Sequence, residues 1–180
     1  ITFENPAALP VLFSATLANG PNVPSNVTAL VQQAIVGVFA GIGGTRPTIG
    51  STIYASDFMP AVMALGSWVK IVSLSIDSPN TPDAQVTGSI GGTTFNVSST
   101  ISGALAVGQL LTGTVGNLAP GTIITGIGSY SGSSGTVFIS PSQTVGLETI
   151  SATVPDGNSV VVQINQTPTI NAADILVALV

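Results

Sequence analysis

The chain has 180 residues, two of them basic and seven acidic, for a net charge of −5 and a charged fraction of 5%, where an ordinary soluble domain has about 25%. Two basic residues leave no electrostatic footprint for nucleic acid and little attraction to an anionic membrane surface, and the lack of Cys and His removes disulfides, thiol nucleophiles, zinc–thiolate sites and the commonest metal ligand. Mean hydropathy is +0.63, a value suited to a membrane protein, yet the longest run of apolar residues and glycine, 34–44, falls far short of the roughly 20 residues a helical span requires.

In chain order, Val11 to Leu17 is short, β-branched and aromatic and reads as a strand. Val27, Leu30, Val31, Ala34, Ile35, Val38 and Phe39 then repeat at helical spacing, with Ser25 or Asn26 as the cap and Gly41 as the stop. A glycine-rich loop, Gly41 to Pro47, follows, and a shorter helix is expected from about Ser56 to Leu65, with Pro60 near its first turn and Gly66 ending it. Trp68 to Ile76 alternates as a half-buried strand, placing Val72, Leu74 and Ile76 on one face. Far down the chain, Ser159 to Asn165 reads as a strand, Gln166-Thr167-Pro168 as a turn and Ala173 to Val180 as the last strand. These elements predict a β-α-α-β-β-β host, an α+β layer with its helices on one face of a mostly antiparallel sheet.

Between Asp83 and Glu148 lie 64 residues with no charge, 33 of them Gly, Ser or Thr. The shift in composition, with Pro79 and Pro82 at its entry and Pro155-Asp156-Gly157-Asn158 at its exit, predicts an inserted module at 84–154 within a discontinuous host, 1–83 and 155–180. The module reads as an all-β sandwich or barrel. Its strands are expected at Gln85–Ile90 and Thr93–Ser98, joined by a hairpin at Gly91-Gly92, then at Leu105–Leu111, Thr122–Ile127, Thr136–Ser140 and Thr144–Thr153. With 44% hydrophobic residues the chain is too apolar for disorder. It opens on Ile1 with no basic stretch ahead of an apolar one, so no signal peptide is expected and it reads as a fragment or processed product.

No catalytic constellation emerges. The hydroxyls lack a histidine base and Lys70 falls within a predicted strand. The glycines at 41, 43 and 44 follow a helix instead of leading into one, which excludes a phosphate cradle. The chain is therefore expected to be no enzyme and to carry no cofactor. Asp77, Asp83 and Asp156 sit at the two crossings between host and module, where oxygen ligands suit Ca²⁺; Asp and Asn also begin turns, and no contiguous loop has regular ligand spacing, so these are weak metal candidates. Arg46, alone in its loop, suits a pairing with an acid such as Asp57 or a role as a partner anchor. Trp68, at a strand start, is a core residue or a binding platform. Tyr130, in a Gly-Ser turn, either stacks on a sugar ring or packs on its own loop.

Four stretches in order, Val31–Phe39, Gly44–Ser56, Leu65–Leu74 and Val161–Val177, resemble the C-terminal region of the baseplate J-like proteins of contractile-tailed bacteriophages. Within the module, Gly88–Val97, Leu105–Gly113, Gly121–Gly126 and Ser134–Thr144 are similar to a Gly/Thr-rich β module that recurs in phage tail and fibre proteins. The resemblance implies a non-enzymatic wedge protein of the virion, located in the tail baseplate. Its partners would be other baseplate and tail proteins in a homo-oligomer or ring, without nucleic acid or a membrane span. The alternative implied by the module is adhesion to a host-surface glycan.

Overall fold

A computed structural model describes residues 5–115 and 117–180. The chain divides into two compact units, one comprising residues 1–78 with 155–180 and the other residues 79–154. The expected α+β class does not hold. The protein is mostly β, with 45% strand and 14% helix, and its strands are dispersed over several small sheets instead of one sheet covered by helices.

The first unit contains β1 (Ala7–Pro10), β2 (Leu12–Leu17), α1 (Val27–Phe39), β3 (Thr52–Tyr54), α2 (Met59–Met63) and β4 (Ile71–Asp77). Helix α1 matches the apolar spacing, burying Val27, Val31, Ile35, Val38 and Phe39. Asn26 occupies the N-cap position, but its side chain makes no capping bond. The helix ends in a Schellman motif: Gly41 N–H donates to Val38 O (2.9 Å) and Ile42 N–H to Gly37 O (2.8 Å), with Gly41 at φ +87°. The second helix is shorter than expected. A 3-10 turn at Ala55–Phe58 leads into the five residues of α2, and Asp57 Oδ2 accepts the Tyr54 N–H at 3.3 Å. Proline at the start of so short a segment fixes its first turn but adds no intrahelical bond.

The predicted strand at Trp68–Ile76 begins later and contains a bulge. Thr16 pairs with Ser73 but Leu17 pairs with Ile71, so Val72 is left as the extra residue and is 61% exposed. A bulge reverses the side-chain phase on either side of it, which is why Leu74 and Ile76 are buried and Val72 is not. The closing region differs more. Ser159–Asn165 is not one strand: β9 covers Ser159–Val161, a turn follows, and the expected turn at Gln166-Thr167-Pro168 is instead strand β10 (Gln166–Thr169). Between β4 and β9 runs the second unit, with β5 to β8. Strand β10 pairs in parallel with β1, and the last strand, β11 (Ile175–Leu179), pairs in parallel with β2. The Asn165 and Thr169 carbonyls face β1, so the Pro168 nitrogen lies on the outer edge of β10, where a missing N–H is tolerated. The core is gathered around three rings. Phe13 meets Phe58 edge-on at 4.8 Å and Phe39 at 6.4 Å, and Phe39 stacks on Phe58 at 5.8 Å.

In the second unit β5 (Ala84–Ser102), β6 (Leu110–Gly113), β7 (Ile123–Ile127) and β8 (Gly135–Thr153) form one sheet in the order β5-β8-β6-β7, with β8 also pairing with β7. The expected hairpin at Gly91-Gly92 is absent. The chain runs through these glycines as a bent strand, and both halves of β5 pair with β8, Ala84–Gly88 with 148–152 and Thr94–Val97 with 135–138. Register shifts on each side of Gly91-Gly92 mark the bend, and Gly92 has φ +69°. Bending brings Gly88 against Asn96 and Val97, residues that a straight strand would hold roughly 25 Å away. The inward side chains Ala84, Val86, Ile90, Phe95, Val97, Val137, Ile139, Ile150 and Ala152 make a core separate from the phenylalanine cluster.

Candidate functional site

The surface of the first unit carries a concavity beside α1. An open groove of about 720 Å³ runs between the end of α1, the loop at 46–49 and the segment 167–170. Val36, Phe39, Pro47, Ile49 and Ile170 give it an apolar floor, and Arg46 is the one charged residue lining it among the described residues. A second hollow of about 370 Å³ lies beside it, bounded by Ala29, Gln33, Gly37 and Ile42 and sharing Val36 and Ala40 with the first. Of the aliphatic side chains at these hollows, Ile42 is 72% and Ile49 47% exposed. Helix α1 has no charged residue on any face. A surface helix ordinarily turns charged residues outward, whereas the exposed positions of α1 are the uncharged Thr28, Ala29 and Gln33.

Arg46 is exposed and stands at the meeting of this groove with a smaller cavity that Asp57 also lines. The expected pairing with Asp57 is not formed among the described residues: the Asp57 carboxylate instead accepts the Tyr54 N–H. Trp68 is half-buried against the first core, and its ring lies over Gly66, where an added Cβ would stand 2.8 Å from the indole nitrogen. Its open edge borders a small hollow with Asn19, Pro21 and Lys70.

The acids at the crossings are held individually. Asp77 Oδ1 accepts the Ser78 N–H at 2.7 Å within the first unit, Asp83 Oδ2 accepts the Val154 N–H at 2.6 Å within the second, and Asp156 is exposed. No three acidic side chains come together as a metal-binding group among the described residues. The last acid of the module, Glu148, is 8% exposed and its Oε2 accepts the Val115 N–H at 2.9 Å. It lies over Gly113, where a Cβ would come within 2.5 Å of Oε1, so it fastens the chain after β6. Composition marked Glu148 as the end of the uncharged stretch without hinting at this role.

Tyr130 packs against the core of the second unit, and its hydroxyl lies 2.9 Å from Thr100 Oγ1. This is the packed arrangement of the two that its turn allows. Tyr130→Phe is expected to lose about 1 kcal/mol of stability, the net worth of one hydrogen bond; hydrogen exchange at the β5 and β8 amides reads it, and unchanged protection would deny the bond a structural role. The aromatic side chain the sequence did not single out is Phe138 on β8, 46% exposed. It stands opposite Thr94 on β5 and Gly126 on β7, with the ring 3.2 Å from where a Gly126 Cβ would sit.

No helix among the described residues is long and apolar enough to cross a membrane. Compared with protein-family models and with curated proteins, the chain matches none.

Proposed function

We propose that the chain is a structural component of a contractile phage tail baseplate, a wedge protein whose first unit makes subunit contacts in the virion, and not an enzyme. The observation that carries this reading is the uncharged helix α1, which lines two adjoining apolar hollows together with the exposed Ile42 and Ile49. Apolar surface concentrated in this way is the mark of an interaction site, and the cores of such contacts are depleted in charge. The four stretches that resemble the baseplate J-like proteins supply the identity of the assembly. Immunogold electron microscopy of virions from the encoding phage, with antibody to the full chain, is expected to label the baseplate end of the tail; label confined to the capsid or the sheath refutes the proposal.

A second reading, adhesion to a host-surface glycan, draws on Phe138. Its ring is braced over Gly126 on a face whose neighbours Thr94, Asn96, Thr136 and Ser140 are neutral and hydrogen-bonding. An exposed aromatic ring with polar neighbours suits a sugar face. The full chain is then expected to bind a neutral glycan on an array, with roughly ten-fold loss in Phe138→Ala, about 1.4 kcal/mol. Absence of binding at millimolar glycan, or binding indifferent to Phe138, removes this reading.

A further inference from the structure

We infer that the groove beside α1 seats an apolar peptide segment bearing a carboxylate, contributed by a different protein of the assembly. The inference rests on the structural reading above and names the partner's chemistry at that site. The groove offers an apolar floor, from Val36 and Phe39 to Pro47 and Ile49, and one cation, Arg46. Arg46 makes no ion pair within the described residues, although the chain has only two basic residues and seven acids. A guanidinium covered by an apolar partner must be matched, because an unmatched charge removed from water is costly, and its planar fork is shaped for a carboxylate.

A second copy of this chain is poorly equipped to provide that carboxylate. Among the described acids Asp57, Asp77, Asp83 and Glu148 each already accept a backbone N–H and Asp174 is buried; the exposed Asp156 is followed by Gly157-Asn158 and so does not lie in an apolar segment that could fill the groove. Two copies would also bring together two net charges of −5. Strand addition is disfavoured as well, since Pro168 gives the outer edge of β10 no donor at that position. Recognition therefore falls to side chains filling the groove, with Arg46 fixing the register of the incoming segment.

The test uses the encoding phage with its gene for this chain replaced by Arg46→Glu, Arg46→Lys or Ile49→Asp alleles. Arg46 and Ile49 are exposed, so the purified variants should retain the wild-type unfolding midpoint, which separates a lost contact from a lost fold. Arg46→Glu and Ile49→Asp are expected to reduce assembled tails, counted by electron microscopy, by roughly ten-fold or more, with Arg46→Lys intermediate. Suppressors of Arg46→Glu should replace an acid by Lys or Arg in another tail protein. Tails assembling normally with Arg46→Glu would overturn the inference, as would suppressors confined to acids of this chain, which would indicate a second copy. If the wild-type chain is itself missing from tails, the structural reading and the groove fall together; if it is present and Arg46→Glu is equally present, the groove alone falls.

Discussion

Phe13→Ala is expected to destabilise the first unit by about 3–5 kcal/mol, the cost of emptying a large aromatic site in a packed core. Phe13 is fully buried on β2, between its partners Ile76 on β4 and Ile175 on β11. Its ring is the one that meets both Phe58 and Phe39, so truncation removes the edge-on contacts along with the buried area. No neighbour collapses readily into the space, because Phe39 and Phe58 are already stacked on one another. Trp68, the only tryptophan, packs on the same core, so its fluorescence reports this unit during urea unfolding. A midpoint unchanged from wild type would mean that the three-ring cluster does not hold the unit together. Since domains of this size retain only about 5–15 kcal/mol, the variant should be close to unfolded at 37 °C.

Gly88→Ala is expected to destabilise the second unit by about 3 kcal/mol, the upper end of what one inserted methyl costs when its neighbours cannot yield. The added Cβ would fall on the Asn96 carbonyl, 2.6 Å from the Phe95 ring and 3.1 Å from the Val97 Cα. Two of these three are backbone, and Phe95 is completely buried, so relief requires opening the bend of β5 itself. Hydrogen exchange is the appropriate measurement: amides of β5 and β8 should exchange roughly a hundred-fold faster, the equivalent of about 2.7 kcal/mol or more. Protection equal to wild type would show that the bend can relax without loss of pairing.

The elements that the sequence reveals are those whose pattern is local. Helix α1 appears with its ends in place because five buried side chains recur at helical spacing and Gly41 can adopt positive φ. What escapes is set by partners far away in the chain. Val72 looks like a core residue until the pairing of Leu17 with Ile71 makes it the extra residue of a bulge. Pro168 reads as a turn until β1 is brought alongside, leaving its missing N–H on an outer edge. Gly91-Gly92 has the composition of a hairpin turn, yet β8 offers both flanking segments a continuous partner and the glycines become a bend. The α+β expectation failed through these same non-local pairings, which divide one imagined sheet among several.

The candidate surface was legible only in part. Arg46 is conspicuous as a lone charge among glycines, but nothing in its neighbourhood distinguishes Ile42 and Ile49 from core residues. Ile42 lies in the Schellman turn after α1 and Ile49 in the turn at 48–51, both dependent on backbone hydrogen bonds. Of the two roles open to Tyr130 the packed one holds, because its hydroxyl is drawn in by Thr100, while Phe138, which the sequence did not single out, is turned out by the alternation along β8.

The parallel pairing of β2 with β11 has a consequence for the order in which the protein is made. Phe13 and Ile175 are separated in sequence by the whole second unit, so the central strand of the first unit lacks one neighbour until β11 is synthesised. By then the second unit, whose last strand ends at Thr153, is wholly available to fold. Domains tend to fold as units during synthesis, and long-range pairings are the slowest to form. The second unit, lying between the two parts of the first, is thus free to mature before the first is complete, and an edge of β2 remains open for capture by other strands during that interval.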